Sequence, residues 1–521
     1  MNRLVAELLK RFCGLQVIRS KVLTTSATGI LVSFAVCANT LFAQPSLTTV
    51  SERPNVLFIA IDDLRPALGC YGDPLAKSPN IDQFAKSARQ INRVYVQQAV
   101  CGPSRTSLLT GLLPDHTQVW HNRNRFRETR PNHVTLPQLF KQNGYRTLGF
   151  GKIFSGNEKE LDPISWSVPE TLRRKGWKNY VLPHNQGKEK KQAAYEVADV
   201  ADDVYPDGKL ANLAVETLEK LKQDGQPFFL AVGFFKPHLP FNAPKKYWDL
   251  YDRAAFELPE GLREPVRLSP EIALHSHREL GGYKGVPKDE ELGVKQSRLL
   301  RHGYYACVSY VDAQVGKVLG ALRRLGFEQN TIVVIWGDHG FALGETNRWC
   351  KATNFELDTR VPLLIRTPNL AQPGSSTDSL VEMVDLYPTL AALAGLGAPA
   401  DLDGRSFLPL LKDLQAPGRD TVLSQFNRPW TSTTPEVMGY SIRTKSARYT
   451  RWIDWQSRET IAEELYDYSG RHNDSGPQTA TLHAGHLIEQ HNIASSHPDL
   501  LQRMNDQMDR QLASRLKVAR E

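Results

Sequence analysis

The sequence predicts an α/β fold: a sheet of mostly parallel strands covered on both faces by helices, followed by a smaller C-terminal α+β part carrying an antiparallel sheet. Three observations predict it. The apolar runs at residues 55–61, 146–151, 227–235 and 331–336 lack the alternation of a half-wet strand, and unbroken runs fit strands buried on both faces. Each run ends in ionisable groups, namely Asp62-Asp63, Lys152, Lys236-Pro237-His238 and Asp338-His339. Parallel sheets collect their ligands at that end of the strands. Beyond about residue 400 the texture changes to alternating stretches such as 439–443 and 448–452, the period of an antiparallel sheet with one wet face.

A chain of 521 residues is too long for one ordinary core, so a large part plus a smaller one is expected, divided near residue 416 into 50–415 and 416–521. Its composition, 41% apolar and 23% charged, is that of a water-soluble protein. Of the net charge of +8, Arg3, Lys10, Arg11, Arg19 and Lys21 against Glu7 sit in the leader, and the remainder is only mildly basic. That balance suits an acidic substrate and gives no reason to expect nucleic acid. The basic start and the apolar run at 28–42 predict a signal peptide over residues 1–43, hence export to a periplasm or secretion. The run is shorter than a membrane span and contains Ser33, Asn39 and Thr40, so no stable membrane insertion is expected. Outside the leader, Cys70, Cys101, Cys307 and Cys350 are too few and too scattered for a disulfide framework, and no CxxC zinc pattern occurs.

Taken in order, Asp62-Asp63 either turns the chain or holds a metal. Adjacent hard carboxylates at the end of a buried strand favour calcium or magnesium. Residues 79–85 start a helix whose Ile81, Phe84, Ala85 and Ala88 are core. Next comes Cys101-Gly102-Pro103-Ser104-Arg105-Thr106-Ser107-Leu108-Leu109-Thr110-Gly111. Pro103 suits a first helical turn and Gly111 a left-handed stop, so Cys101 is expected at the positive end of a short helix, where an anion is favoured, with Arg105 one turn on. The spacing therefore predicts an activated nucleophile with a cationic partner. The cations from Arg123 to Arg130 read as a solvated face, with sulfate or carboxylate binding as the alternative. Residues 155–210, including Lys188 to Lys191, read as a surface excursion. A helix at 304–325 precedes the strand ending at Asp338, Lys351 follows soon after, residues 361–365 form another strand, and residues 498–520 a closing amphipathic helix.

The string from Cys101 to Gly111 resembles the signature of type I sulfatases, in which that cysteine is oxidised to formylglycine (3-oxoalanine) by a formylglycine-generating enzyme. Sulfatase-like residues run from about 55 to 494. Within the family, Asp62-Asp63-Leu64-Arg65-Pro66, Leu68 to Asp73, Gln97 to Cys101, Lys236-Pro237-His238 and Met438 to Thr444 look most like the iduronate-2-sulfatase group. The resemblance implies an alkaline-phosphatase-like fold and one calcium ion bound by Asp62, Asp63, Asp338, His339 and the modified Cys101. It implies that Arg105, Lys152, His238 and Lys351 surround the sulfate of a sulfated saccharide or glycosaminoglycan fragment, best guess iduronate 2-sulfate. A hydrated aldehyde would attack sulfur while His238 or Lys351 protonates the leaving oxygen.

Two positions depart from the family pattern. Ser155 stands where a His assisting sulfate release is usual, and Thr346 where Gly-Glu-His is usual. An active enzyme is expected, its second step slower or served by His116, His121 or His133. The rival readings are a phosphatase or phosphonate monoester hydrolase on the same scaffold, and an impaired binder of sulfated polysaccharide.

Overall fold

A computed structural model describes residues 53–155, 162–168, 179–187, 192–274, 279–288, 291–469, 479–482 and 486–516. The signal peptide expected over residues 1–43 and the cluster Lys188 to Lys191 lie outside the described residues.

Seven strands form the large sheet: β1 (Asn55–Ile61), β2 (Arg89–Tyr95), β3 (Arg146–Gly151), β4 (Phe228–Phe234), β5 (Thr331–Gly337), β6 (Arg360–Arg366) and β7 (Ser376–Glu382). Their order is β7-β2-β6-β5-β1-β4-β3, and only β6 runs against the rest. The sheet is therefore mixed and mostly parallel, as the unbroken runs predict. β2 and β7 escape the sequence reading because Arg89, Gln90, Asn92 and Arg93 in one and Ser376, Asp378 and Ser379 in the other break the apolar pattern.

Alternate residues of β1 feed opposite cores. Leu57, Ile59 and Ile61 pack on one side, and Val56, Phe58 and Ala60 on the other, all fully buried. The first side is covered by two long helices, Pro206–Asp224 and Val294–Arg324, and the second by the helices Cys101–Thr110, Leu136–Gln142 and Leu386–Leu393. The helix Val294–Arg324 begins ten residues before the sequence reading places it. Gly303 interrupts the pattern there as a nominal helix breaker, but a Cβ at that position would lie 2.8 Å from the Trp248 ring and 3.0 Å from Phe241, so glycine permits a close approach.

β6 carries Pro362, which cannot donate to the ladder, and the register with β2 shifts at that residue. Tyr71 fills the gap. Its hydroxyl accepts from Leu363 N at 2.8 Å and lies 3.1 Å from the carbonyl oxygens of Leu363 and Ile91.

The antiparallel sheet follows as a meander of β8 (Val422–Arg428), β9 (Val437–Arg443), β10 (Ala447–Asp454) and β11 (Thr460–Asp467). The helix Pro498–Leu516 lays Met504 and Met508 on its inner face against Leu423, Tyr440, Tyr449 and Leu465. The predicted boundary at residue 416 falls between the end of β7 and the start of β8. Residues 52–521 cluster as one unit. Among the described residues no helix is long and apolar enough to cross a membrane.

Candidate active site

Parallel register brings the strand ends level. Ile61 lies opposite Phe234 and Gly337, and Gly151 opposite Gly233, so the residues that follow β1, β3, β4 and β5 emerge along one edge. Glycine sets the spacing at β3 and β4, because a Cβ on Gly233 would stand 2.1 Å from the Lys152 carbonyl oxygen. The chain after β2 delivers Cys101 to the same edge at the start of its ten-residue helix, every residue of which is buried. Gly111, at φ 71°, ends the helix, and Asn122 Oδ1 accepts from Gly102 N at 2.6 Å near its start.

The Cys101 sulfur receives Lys152 Nζ at 3.2 Å, lies 3.3 Å from His339 Nε2 and faces Asp62 Oδ1 at 3.6 Å. Ligand atoms of Asp62, Asp63, Cys101 and His339 all lie within 4.8 Å of one another, and all four residues are buried. Because His339 Nδ1 donates to Gly340 O at 2.9 Å, its Nε2 lone pair is the one turned to the cluster. Asp338 adjoins the four with its carboxylate engaged: Oδ2 accepts from Arg105 Nε at 2.8 Å, and Oδ1 from the backbone N–H groups of Asp63 at 2.9 Å and His339 at 3.0 Å.

Two ammonium groups balance the acids. Lys152 Nζ binds Asp62 Oδ2 at 2.5 Å, and Lys351 Nζ binds both oxygens of Asp63, at 2.9 and 2.8 Å. Burial alone would raise the Asp62 carboxyl, but Lys152, His238 and Arg105 hold it well below the usual carboxylate range. At Asp63 the balance reverses. Burial, together with Asp62, Glu279 and Asp338, pushes its carboxyl well up against Lys351. Buried carboxylates clustered as hard oxygen donors, with one imidazole lone pair turned to them, fit a divalent cation.

Several expectations need correction. The helix start does not make Cys101 a ready thiolate: burial and then Asp62 push its thiol well up, outweighing Lys152 and Lys351. Arg105, fully buried, spends its donors on Asp338, on Asp62 at 3.3 Å and on the carbonyls of Lys152 and Ile153, not on an open anion-binding space. His133 donates to the carbonyl of Thr110, the last residue of the helix that begins at Cys101, and nine residues of helical rise separate the two by about 13 Å. His116 is held 2.6 Å from Asp403 Oδ2, and Asp403 in turn caps Leu113 N just past that same far end. Neither histidine can stand in for the missing one at 155. His121 adjoins Asn122, but its Nδ1 accepts from Arg123. Ser155 borders a cavity of about 250 Å³ shared with Thr106, Asn124, Arg125 and Phe154.

His238 turns its Nδ1 to the Leu239 carbonyl at 2.6 Å, and burial, with Lys351, holds the imidazole well below its usual range. Lys236 Nζ donates to the carbonyls of His238 and Pro240 and so braces that loop. Asp207 accepts from the backbone N–H groups of Phe235 and Lys236, fixing the turn after β4. Sequence reasoning missed Asp207, Tyr304 and Glu279. Tyr304 donates to the Asp63 carbonyl at 2.8 Å from the middle of a helix. Glu279 reaches Lys351 at 3.2 Å and His238 at 3.5 Å from an irregular segment with no periodic signal.

A family model described as Sulfatase matches residues 54–396, and one described as N-sulphoglucosamine sulphohydrolase, C-terminal, matches residues 344–479. Iduronate 2-sulfatase of Homo sapiens is 35% identical over 500 residues, spanning 83% of this chain and 90% of that protein. The Mus musculus iduronate 2-sulfatase is 37% identical over 489 residues, 80% and 87% of the two chains. Among solved structures, a protein in complex with its substrate D-glucosamine-2-N,6-O-disulfate superposes with a TM-score of 0.68 at 20% identity, covering 89% of this chain and 98% of its own. A phosphonate monoester hydrolase from Silicibacter pomeroyi does so with 0.68 at 24% identity, covering 89% and 96%, so the fold alone is common to both. The match over most of the chain, with the cysteine string at the head of its helix, makes this chain a member of the sulfatase family, an enzyme that hydrolyses sulfate esters.

Proposed function

We propose that the enzyme removes sulfate from a sulfated saccharide of the iduronate 2-sulfate type, after export and after a formylglycine-generating enzyme has converted Cys101 to formylglycine, with one calcium ion in the carboxylate cluster. The observation that carries the reading is the cluster itself: a buried cysteine within reach of Lys152 and His339, clustered with the carboxylates of Asp62 and Asp63. When bound, these groups supply an oxygen nucleophile at residue 101 and a Lewis acid beside it. The donor set supports that pairing, since the thiol is a soft ligand among hard carboxylates and the aldehyde hydrate would put oxygen in its place.

The remaining roles belong to the chain's own side chains. Asp62, Asp63, Asp338 and His339 hold the metal. Arg105 fixes Asp62 and Asp338 from behind, so it orders the ligands and does not itself grip substrate. Lys152 and Lys351 neutralise the sulfate oxygens and keep sulfur in line with residue 101. His238 or Lys351 gives the proton to the departing alcohol. Binding energy from the saccharide is expected to come from loops at the mouth, among them the Arg123–Arg130 segment, in which Arg123 donates to Thr431 O at 2.6 Å and so ties that segment to the antiparallel sheet.

Two measurements test the reading. Mass spectrometry of the peptide spanning Cys101 should show the loss that separates a thiol from an aldehyde, and an unmodified cysteine in active enzyme would sink the mechanism. Assays of paired sulfate, phosphate and phosphonate esters should favour sulfate, with iduronate 2-sulfate disaccharide preferred over other sulfated sugars. Preference for the phosphonate ester would install the hydrolase reading instead.

A further inference from the structure

Trp430 is the exception among the partly exposed tryptophans. Trp120 and Trp455 meet edge to face with ring centroids 5.6 Å apart, Trp120 Nε1 donates to Asp115 at 2.8 Å, and the Arg458 guanidinium lies 4.2 Å from the Trp455 ring. The Trp430 indole has no ring, cation or hydrogen-bond partner among the described residues. A side chain of that size, only partly covered, presents apolar surface that a ligand gains by burying.

Its place says which ligand. Trp430 packs against the small buried cluster of Val100, Ala352 and Phe426. Val100 directly precedes Cys101, Ala352 directly follows Lys351, and Ala352 N donates to Ala99 O at 3.2 Å, so the cluster joins the stretch that carries the cysteine to the stretch that carries Lys351. The loop from β8 to β9 that bears Trp430 is braced on several sides. Arg123 Nη2 donates to Thr431 O at 2.6 Å and Asn124 Nδ2 to Thr433 O at 3.0 Å, while the adjoining Asn122 accepts from Gly102 N at 2.6 Å. At the base of the loop, Arg428 donates to Ile272 O at 2.9 Å and to Ala352 O at 3.2 Å. A loop braced this way loses little freedom when a ligand covers it.

We propose that Trp430 is a specificity-determining residue whose indole carries a sugar ring of the sulfated saccharide, the C–H face of the ring lying on the indole while the sulfate ester reaches residue 101. The inference rests on the reading above that the substrate is a saccharide. The C–H face of the ring does not change as the sulfur–oxygen bond breaks, so the contact is equally strong before and during reaction and acts on affinity alone.

The test compares matured wild type with Trp430→Phe and Trp430→Leu on a sulfated uronic acid disaccharide, with inorganic sulfate as a competing ligand that has no ring. Leucine keeps apolar cover over Val100, Ala352 and Phe426 but offers no flat face, whereas phenylalanine keeps both. Trp430→Leu should raise KM about tenfold with kcat unchanged, Trp430→Phe should raise it far less, and the inhibition constant of sulfate should be the same in all three. A KM unmoved by Trp430→Leu, equal losses in the two variants, a fall in kcat or weaker inhibition by sulfate would each overturn the role of Trp430 while the function stands. A wild type that releases no sulfate from the disaccharide would overturn the proposed function, and this inference with it.

Discussion

At the scale of single residues, the cysteine shows how environment overrides local geometry. Its helix start and its neighbour Lys152 both favour a thiolate, yet burial and Asp62 push its thiol well up. The acids around it are similarly out of balance, with Asp62 held down by cations and Asp63 pushed up by burial and its acidic neighbours. A bound cation relieves that imbalance. Chelation should therefore abolish sulfatase activity and lower thermal stability by the linkage expected of a ligand at 100–1,000 times its Kd, about 3–4 kcal/mol, with calcium restoring both in a thermal-shift and activity titration. Ser155 offers a second test. The adjoining cavity of about 250 Å³ has room for an imidazole, and Ser155→His should raise kcat on the saccharide ester several-fold without moving KM. An unchanged kcat would mean that release of sulfate is not slowed by the serine. Asp62, Asp63, Asp338 and His339 were legible in the sequence because each directly follows a buried apolar run. Glu279 was not, because only the folded chain brings residue 279 beside residues 238 and 351.

At the scale of elements, the site depends on how closely strands β3 and β4 and their following loops approach. Gly151, at φ 73°, turns the chain so that Lys152 enters the site, and a Cβ there would meet Gly233 O at 2.2 Å. Gly233 has the reciprocal constraint against the Lys152 backbone. Gly233→Ala should shift Lys152 off Asp62 and the residue 101 sulfur, costing about 1–3 kcal/mol of stability by overpacking and at least tenfold in kcat/KM. Denaturant unfolding and steady-state kinetics read the two effects separately. The sequence displays the glycines but not their reason, since the contact joins residues about 80 positions apart. The same holds for β6, where the sequence shows a proline in an apolar run and only the fold supplies Tyr71 to satisfy the freed backbone.

At the scale of the whole molecule, buried charge pairs join the antiparallel sheet to the catalytic one. Glu356, just before β6, accepts from Arg448 Nη2 at 2.7 Å and Arg443 Nε at 3.2 Å, and both arginines belong to the meander. Burial opposes its ionisation, but Arg443, Arg448 and Arg360 pull its carboxyl down to about 2 from the usual 4.5. A depressed folded value means the pair stabilises fully above pH 4.5, and that contribution fades as pH falls through about 2. Glu356→Gln should thus destabilise the protein at neutral pH by about 3–5 kcal/mol, and the gap to wild type should close on acidification across that window in equilibrium unfolding. The sequence by itself determined the α/β class, the strand ends that carry chemistry, the cysteine string and the change to an antiparallel meander, because periodicity and motif spacing are local and survive in one dimension. Tertiary structure alone decided that Cys101 is buried beside Asp62, that Arg105 faces the acids, that His116 and His133 lie at the wrong end of the helix, and that Glu279 lies beside Lys351 and His238. Those outcomes turn on burial and on through-space distances between segments hundreds of residues apart, which the order of residues along the chain does not encode locally.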